Sequence, residues 1–166
     1  MATYGPNSPG TVATDVVGVT WSNTSFVTAN DASYATVTLH DGACFLANTK
    51  IYNIDNSFRF IENINVGDII SDAYGKNVIV LKCHKILVNE YLFIESLLDS
   101  VKVTDYHPFM LEDGTFKEIK DIEVGEAIYG NKIIAKTKII DNVYVYNLSV
   151  SESETYIANQ FKVHNK

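Results

Sequence analysis

The 166-residue sequence has few cysteines, few prolines and no run of basic residues. With 13 Lys and Arg against 20 Asp and Glu, the net charge is −7, so neither nucleic acid nor an anionic membrane surface is an expected partner. The apolar runs are short and interrupted, so none is expected to span a bilayer, and the first residues lack the basic start and apolar run of a secretory signal. We therefore expect a cytoplasmic protein with one well-buried core. The oligomeric state is left open.

Only two cysteines are present, Cys44 and Cys83. They could pair in principle, but the apolar strand pattern after Cys44 favours a reduced thiol in a reducing compartment. Cys83 and His84 are neighbours on a predicted strand and should face opposite sides of it, so we expect no metal site there. A Gly-rich phosphate loop and a CxxC spacing are both missing. The sequence therefore predicts neither a metal nor another cofactor.

Residues 1–43 differ from the rest of the chain. They are rich in Ser, Thr, Asn, Ala and Val and almost free of Lys, Leu and Ile, and their two β-like runs are too little for a core of their own. The pattern around Trp21, Asn30 and Tyr34 resembles repeats of phage and prophage tail-type proteins. We interpret residues 1–43 as the flanking end of a host protein; the alternative is a strand pair that belongs to the main domain.

From Cys44 onward the pattern is that of β-strands, rich in Ile, Val, Tyr and Phe. Helix signals are almost absent, although YLFIESLLDS could form a helical turn or two, and VKVTDYHPF is typical of a strand that enters a tight turn. The fold class predicted is all-β. Turns are expected at Asp55-Asn56, Tyr74-Gly75, Asp113-Gly114, Tyr129-Gly130 and Asp141-Asn142.

A repeat divides this β-rich part into two related halves. Residues 55–70, DNSFRFIENINVGDII, match residues 113–128, DGTFKEIKDIEVGEAI, without a gap. The identical pairs are Asp55/Asp113, Phe58/Phe116, Ile61/Ile119, Ile64/Ile122, Val66/Val124, Gly67/Gly125 and Ile70/Ile128. Two copies are too few for a solenoid. We expect two β halves related by a pseudo-twofold axis, an arrangement that can bring distant residues together.

The stretch DGACFLANTKI offers a thiol next to a peptide bond. Cys44 could attack the Ala43 carbonyl and convert the Ala43–Cys44 amide into a thioester. In VTDYHPF, His107 suits proton transfer, and Thr104 with the backbone N–H groups of its turn suits stabilisation of the oxyanion. Taken singly, a cysteine in a β protein is more often a small buried hydrophobe, and Thr-x-x-His is a common pattern. The interpretation depends on their joint occurrence in this order.

The end of the chain, FKVHNK, carries a second candidate reaction. The side-chain amide of Asn165 could attack its own carbonyl, form a succinimide and release Lys166. Because Lys rather than Gly follows, unaided cyclisation should be slow and the fold must supply the geometry. His164 could protonate the leaving amine. The alternative is that this ending is a frayed polar tail.

These segments together resemble a known family. CFLANTKI, VTDYHPF and VYNLSVSESETYIANQFKVHN are similar to motifs of the Hint superfamily, which comprises inteins, bacterial intein-like domains and hedgehog-type autoprocessing domains. The resemblance covers residues 44–165 and implies a horseshoe-shaped all-β fold with internal pseudo-twofold symmetry. It also implies a self-processing domain in which Cys44 is the first nucleophile, Thr104 and His107 act at the upstream bond, and His164 and Asn165 act at the downstream bond.

Some positions depart from the family pattern. Asn147 stands where many inteins have Asp, and Glu154 stands where they often have His, so these two residues and Asp105 are secondary candidates only. Lys166, the first downstream flanking residue, cannot accept an acyl group as the Cys, Ser or Thr of standard splicing does. The resemblance therefore implies cleavage at either border in preference to splicing, with the chain's own flanking segments as its partners in cis. Splicing by direct attack of an amine on the thioester is the minor alternative.

Two other hypotheses remain at this point. Residues 1–43 favour a structural or binding module of a phage-like particle that carries a degenerate Hint domain. Hedgehog-like transfer of the acyl group to an alcohol is the other, but no sterol-binding extension is evident and the His-Asn ending favours peptide chemistry.

Overall fold

The computed structural model describes residues 42–165, so what the sequence predicts for residues 1–41, the pattern around Trp21, Asn30 and Tyr34 included, and for Lys166 lies outside the described part. The described residues contain twelve strands and two 3₁₀ turns, Ile61–Asn63 and Ile119–Asp121, joined by short loops. The strands are β1 (Phe45–Leu46), β2 (Lys50–Tyr52), β3 (Phe58–Phe60), β4 (Ile69–Ser71), β5 (Asn77–Ser96), β6 (Ser100–Val103), β7 (Pro108–Met110), β8 (Phe116–Glu118), β9 (Ala127–Ile128), β10 (Asn131–Val150), β11 (Thr155–Ala158) and β12 (Phe161–His164). The all-β prediction is confirmed. Among the described residues, no helix is long and apolar enough to cross a membrane.

The strands form two six-stranded sheets whose orders are symmetric. One sheet runs β4-β5-β6-β1-β10-β9, and the other runs β3-β2-β11-β12-β7-β8. When the first order is read inward from both ends, β4 matches β9, β5 matches β10 and β6 matches β1. In the second order β3 matches β8 and β2 matches β7, with β11 and β12 at the centre. Apart from the central β11–β12 pair, the members of each pair are five strands apart in the chain. The strand orders therefore have the pseudo-twofold symmetry that the sequence repeat predicts.

The two copies of the repeat fold alike. Each gives a strand, a 3₁₀ turn and a second short strand: β3 to β4 in the first copy and β8 to β9 in the second. The Ile61 N–H donates to the Thr49 carbonyl at 2.9 Å, and the Ile119 N–H donates to the His107 carbonyl at the same distance. His107 thus takes, in the second half, the place that Thr49 takes in the first.

Glycine is required in the turn that follows each 3₁₀ turn. Gly67 and Gly125 have φ of 90° and 92°, a region that side chains with a Cβ avoid. Their N–H groups donate at 2.8 Å to the carbonyls of Val80 and Ile133, near the start of the two long strands β5 and β10. Each turn is thus bonded to the long strand of its own half.

The long strands β5 and β10 pair antiparallel along most of their length, and two local predictions fail here. Asp141-Asn142 is not a turn but lies inside β10, where the register with β5 shifts between Ile140 and Val143. The segment YLFIES is not helical but is the end of β5, because pairing with both β6 and β10 satisfies its backbone on each side. Tertiary pairing overrides the local signals in both cases.

The main core lies between the two sheets. Its largest fully buried side chains include Phe45, Phe109, Phe161 and Tyr156. A smaller cluster of Cys44, Leu46, Tyr91 and Val145 lies beside it, with Ile86, Val88, Ile139 and Val143 packed around it. Cys44 is therefore buried in an apolar cluster, next to the strand pair β5–β10.

Candidate functional site

Cys44 directly precedes β1, and Thr104 directly follows β6, the strand with which β1 pairs. The Cys44 N–H donates to the Thr104 hydroxyl at 2.8 Å, and the Thr104 N–H donates to the Cys44 carbonyl at 2.9 Å. The Thr104 hydroxyl in turn donates to the Gly42 carbonyl and is 3.3 Å from the Cys44 carbonyl oxygen. One side chain therefore holds the backbone on both sides of the Ala43–Cys44 bond.

The Cys44 thiol is in an apolar setting. The residue is 2% exposed, and burial raises the pKa of the thiol to about 12. At neutral pH the sulfur is therefore protonated, and it needs a base to become a nucleophile.

His107 is fully buried in the turn after Thr104. Its ring packs against Phe45 with 4.2 Å between ring centroids, and within residues 42–165 neither ring nitrogen has a hydrogen bond of normal geometry. Burial lowers the pKa of His107 to about 3; the nearby Ala43 backbone opposes this shift, and the charge of His164 adds to it. The imidazole is therefore neutral at pH 7, with one nitrogen that carries a proton and one that does not.

The sheet register brings the end of the described chain to His107. Strands β7 and β12 pair antiparallel with Phe109 opposite Val163, and two residues further along this register Asn165 lies opposite His107. The Asn165 N–H donates to the Glu154 carbonyl at 2.8 Å. Its side-chain oxygen is buried and has no hydrogen-bond partner in the described part of the chain.

His164 lies at the end of β12, across from the start of β11. Its ring makes an edge contact with Phe116, with 5.2 Å between centroids. Its Nε2 atom is 3.7 Å from the carboxylate of Glu154, the residue whose carbonyl also holds Asn165. Glu154 therefore contacts both residues of the His-Asn ending.

Asn147 lies on the other side of Cys44. Phe45 is opposite Tyr146 in the β1–β10 pairing, so Cys44 and Asn147 are opposite each other in the same register. The Asn147 side-chain oxygen accepts hydrogen bonds from the buried Tyr156 hydroxyl at 2.7 Å and from the Leu148 N–H at 2.8 Å. Cys44 is thus flanked by Thr104 on one neighbouring strand and by Asn147 on the other.

Solved structures that are similar to this chain identify the fold. A bacterial intein-like domain from Clostridium thermocellum matches with a TM-score of 0.67 and 26% identity, over 75% of this chain and 99% of that one. The gp41-1 intein (TM-score 0.64, 21% identity) and a DnaB intein from Synechocystis sp. PCC 6803 (TM-score 0.61, 16% identity) each match 75% of this chain and 99% of their own. No protein-family model matches the sequence, and no curated protein does.

The chain therefore has the Hint fold, the fold of inteins and bacterial intein-like domains. The residues that the sequence predicts for a Hint site fall into two groups in the structure. Cys44, Thr104 and His107 surround the Ala43–Cys44 bond, and His164 and Asn165 lie with Glu154 at the other end of the domain's chain, in register with His107.

For Thr104 and Asp105 the contacts differ from those that the predicted roles require, and both roles stay predictions. The hydrogen bonds of the Thr104 hydroxyl go to Gly42 and Cys44 rather than to the Ala43 carbonyl, so in this state it holds the backbone and not an oxyanion. The carbonyl of Asp105 accepts from the Lys120 N–H at 2.9 Å, but within residues 42–165 its carboxylate has no hydrogen bond to the other candidates. Asp105 is therefore a turn residue of the Hint domain by its visible contacts.

Tyr156 and Phe45 are parts of the Hint site that the sequence interpretation missed. Both are fully buried, and both rings lie against His107, with centroid distances of 6.3 Å for Tyr156 and 4.2 Å for Phe45. Their alternating apolar patterns mark them as facing inward, but that signal does not distinguish a residue of the site from any other core residue.

Cys83 and His84 have separate contacts. The Cys83 thiol is 3.4 Å from the Ile64 carbonyl, and His84 Nε2 is 2.9 Å from the Ser149 hydroxyl. Both cysteines are free thiols, and residues 42–165 contain no cluster of three or more His, Cys, Asp or Glu suited to a metal.

Proposed function

We propose that this Hint domain cleaves its own backbone at Ala43–Cys44 and at Asn165–Lys166, with cleavage favoured over splicing. The single observation that carries the proposal is the Thr104 hydroxyl, which joins the Gly42 carbonyl to the Cys44 N–H around the upstream bond. A buried threonine with this bonding has no evident purpose in a domain that serves only as a scaffold.

In the upstream step, the Cys44 sulfur attacks the Ala43 carbonyl carbon. A C–S bond forms, the C–N bond to Cys44 breaks, and the amide nitrogen leaves as an amine. Because the thiol is protonated at neutral pH and the His107 imidazole is neutral, the ring takes the thiol proton and gives a proton to the departing nitrogen. The number of protons in the site is unchanged by this step.

Residues around the thiol fix the geometry of this step. Thr104 holds the two backbone groups that flank Ala43, and Phe45 supports one face of the His107 ring. On the other side, the Tyr156 hydroxyl orients the Asn147 amide, which faces the Cys44 strand. Such positioning accounts for large rate effects in reactions within one molecule.

In the downstream step, the Asn165 side-chain nitrogen attacks the Asn165 carbonyl carbon. As the succinimide ring closes, the side-chain nitrogen loses one proton, the bond to Lys166 breaks, and the Lys166 nitrogen takes one proton as it leaves, so the number of protons is unchanged. The Glu154 carbonyl holds the Asn165 N–H, and His164, 3.7 Å from the Glu154 carboxylate, can supply that proton. Glu154 thus takes a place that the family pattern gives to histidine.

The acyl group leaves the thioester without passing to Lys166. Lys166 has no hydroxyl or thiol to accept it, so water or an external thiol takes the acyl group and releases residues 1–43. The setting we propose is a bacterial cytoplasm, where the free thiol of Cys44 stays reduced.

The proposal is tested by expressing the chain with a different tag at each end and weighing the products after incubation with thiol at neutral pH. Cys44→Ala should abolish only the upstream cut, and Asn165→Ala only the downstream cut. An intact mass for the unsubstituted chain, as a purely structural module of a phage-like particle would give, would count against the proposal. Loss of neither cut in the two variants would refute the assigned roles.

A further inference from the structure

Gly42 differs from the other glycines of residues 42–165. The others, Gly67, Gly75, Gly114, Gly125 and Gly130, have positive φ, and a Cβ added to them would meet no atom closer than 4.0 Å. Gly42 is instead distinguished by close neighbours in the space around it.

That space is occupied on two sides. A Cβ atom added to Gly42 would lie 2.7 Å from Ile86 Cδ1 and 3.3 Å from the Cys44 sulfur. The first distance is shorter than atoms tolerate, and the second would press on the sulfur that must turn toward the Ala43 carbonyl. A larger residue at position 42 would therefore crowd both Ile86 and the nucleophile.

The chain at Gly42 cannot easily move away. Its carbonyl accepts the hydrogen bond of the Thr104 hydroxyl, and the same hydroxyl holds the Cys44 N–H. Ala43, between them, is only 3% exposed. A shift of residue 42 would break a hydrogen bond of the site or expose Ala43.

Ile86 is also restrained. It lies opposite Val145 in the β5–β10 pairing and packs against the cluster that contains Cys44, Leu46 and Tyr91. Ile86 is half-buried, and a rotation of its Cδ1 away from Gly42 would move the methyl group into that cluster or out into water. Relief of the contact at position 42 therefore costs apolar packing of Ile86.

We propose that Ile86 sets the size limit for the residue two positions before the upstream cut. The substrate class follows from the crowding at position 42 and the burial of Ala43: the domain accepts upstream segments that end in glycine followed by a small residue, as Gly42-Ala43 does. The inference rests on the proposed function, since it specifies which flanking sequences the upstream step can process. Ile86 is a specificity-determining residue and takes no part in the chemistry.

The test compares single-turnover rates of the upstream cut, in thiol, for the full chain and its variants. Gly42→Ala should slow this cut roughly tenfold, because the added methyl group overpacks the site. Ile86→Val removes Cδ1, so Gly42→Ala with Ile86→Val should cut within about threefold of Ile86→Val alone. The matched control combines Gly42→Ala with Ile140→Val, a change at a position on β10 that is 71% exposed. This control should make the upstream cut as slowly as Gly42→Ala alone.

Two results would overturn the inference. One is a Gly42→Ala chain that cuts at the original rate; the other is a double variant that remains as slow as the Ile140→Val control. The downstream cut, measured in the same samples, should keep its rate in every variant, which separates crowding at the upstream bond from loss of the fold.

If the unsubstituted chain does not cut at all, the proposed function fails and the steric claim is still decided. Urea unfolding of the same variants measures the coupling between positions 42 and 86. Ile86→Val should recover most of the stability lost in Gly42→Ala, and Ile140→Val should recover none. Additive effects at positions 42 and 86 would overturn the inference independently of any cleavage.

Discussion

Replacing Thr104 by valine removes the hydroxyl that links Gly42 to Cys44 and keeps the shape of the side chain. The Cys44 N–H then loses its acceptor, at 2.8 Å, and the Gly42 carbonyl loses its donor. An orphaned buried polar group costs about 1–3 kcal/mol, and Gly42 is only partly buried. We therefore expect Thr104→Val to lower the free energy of unfolding by about 2–4 kcal/mol.

The effect on the upstream cut should be larger than a loss of stability explains. Without the hydroxyl, the residues around the Ala43–Cys44 bond are free to relax away from the sulfur, and misplacement by about 1 Å can cost on the order of 100-fold in rate. Single-turnover cleavage in thiol measures this rate. Urea unfolding, in a chain that carries Cys44→Ala and Asn165→Ala to prevent both cuts, measures the stability.

Thr49 provides the matched control. It is buried like Thr104, and its hydroxyl donates at 2.7 Å to the Leu46 carbonyl, in the equivalent turn of the first half. Thr49→Val should lower the stability and leave the upstream rate within about threefold. Thr104→Ser keeps the hydroxyl and should retain most of the activity. If Thr104→Val also cut at nearly the original rate, Thr104 would be a purely structural residue and the reasoning would be refuted.

Three further predictions concern other parts of the site. Between pH 6.5 and about 3, His107 binds a proton in the unfolded chain but not in the folded chain. The free energy of unfolding should therefore fall as the pH drops, by about 2 kcal/mol or more at pH 4.5. The variant His107→Gln should show a smaller fall. Tyr156→Phe should cost about 1 kcal/mol in urea unfolding and slow the upstream cut, because Asn147 loses a hydrogen bond; an unchanged rate would exclude this positioning role. Glu154→Gln should slow the downstream cut a few-fold, because the carboxylate that lies 3.7 Å from His164 Nε2 is lost, and leave the upstream cut unchanged; equal slowing of both cuts would contradict this assignment.

The repeat made the symmetry of the fold predictable from the sequence. Residues 55–70 and 113–128 share their apolar spacing and their glycines, and these local signals specify the same strand, 3₁₀ turn and strand in both halves. The alternation of apolar residues was sufficient for the all-β class. The failures came where local signals compete with pairing, as at Asp141-Asn142, which a bulge in a long strand accommodates.

The site could be predicted in part, because its reactive residues are of distinctive types. Cys44, Thr104 and His107 combine a nucleophile, a hydroxyl and an imidazole in a recognisable order. The contact of Gly42 with Ile86 could not be predicted, since it depends on the path of residues 42–44 around Thr104. Glu154 was expected only as a departure from the family pattern, although its carbonyl and carboxylate reach both Asn165 and His164.

The most direct test of the account is to trap the thioester at Cys44. The chain is incubated at neutral pH with a small external thiol, and the released fragments are weighed with and without hydroxylamine. We predict a fragment that ends at Ala43 and carries the thiol as a thioester, which hydroxylamine removes and which Cys44→Ala abolishes. A chain that stays intact, or a fragment that ends at another residue, would contradict the account.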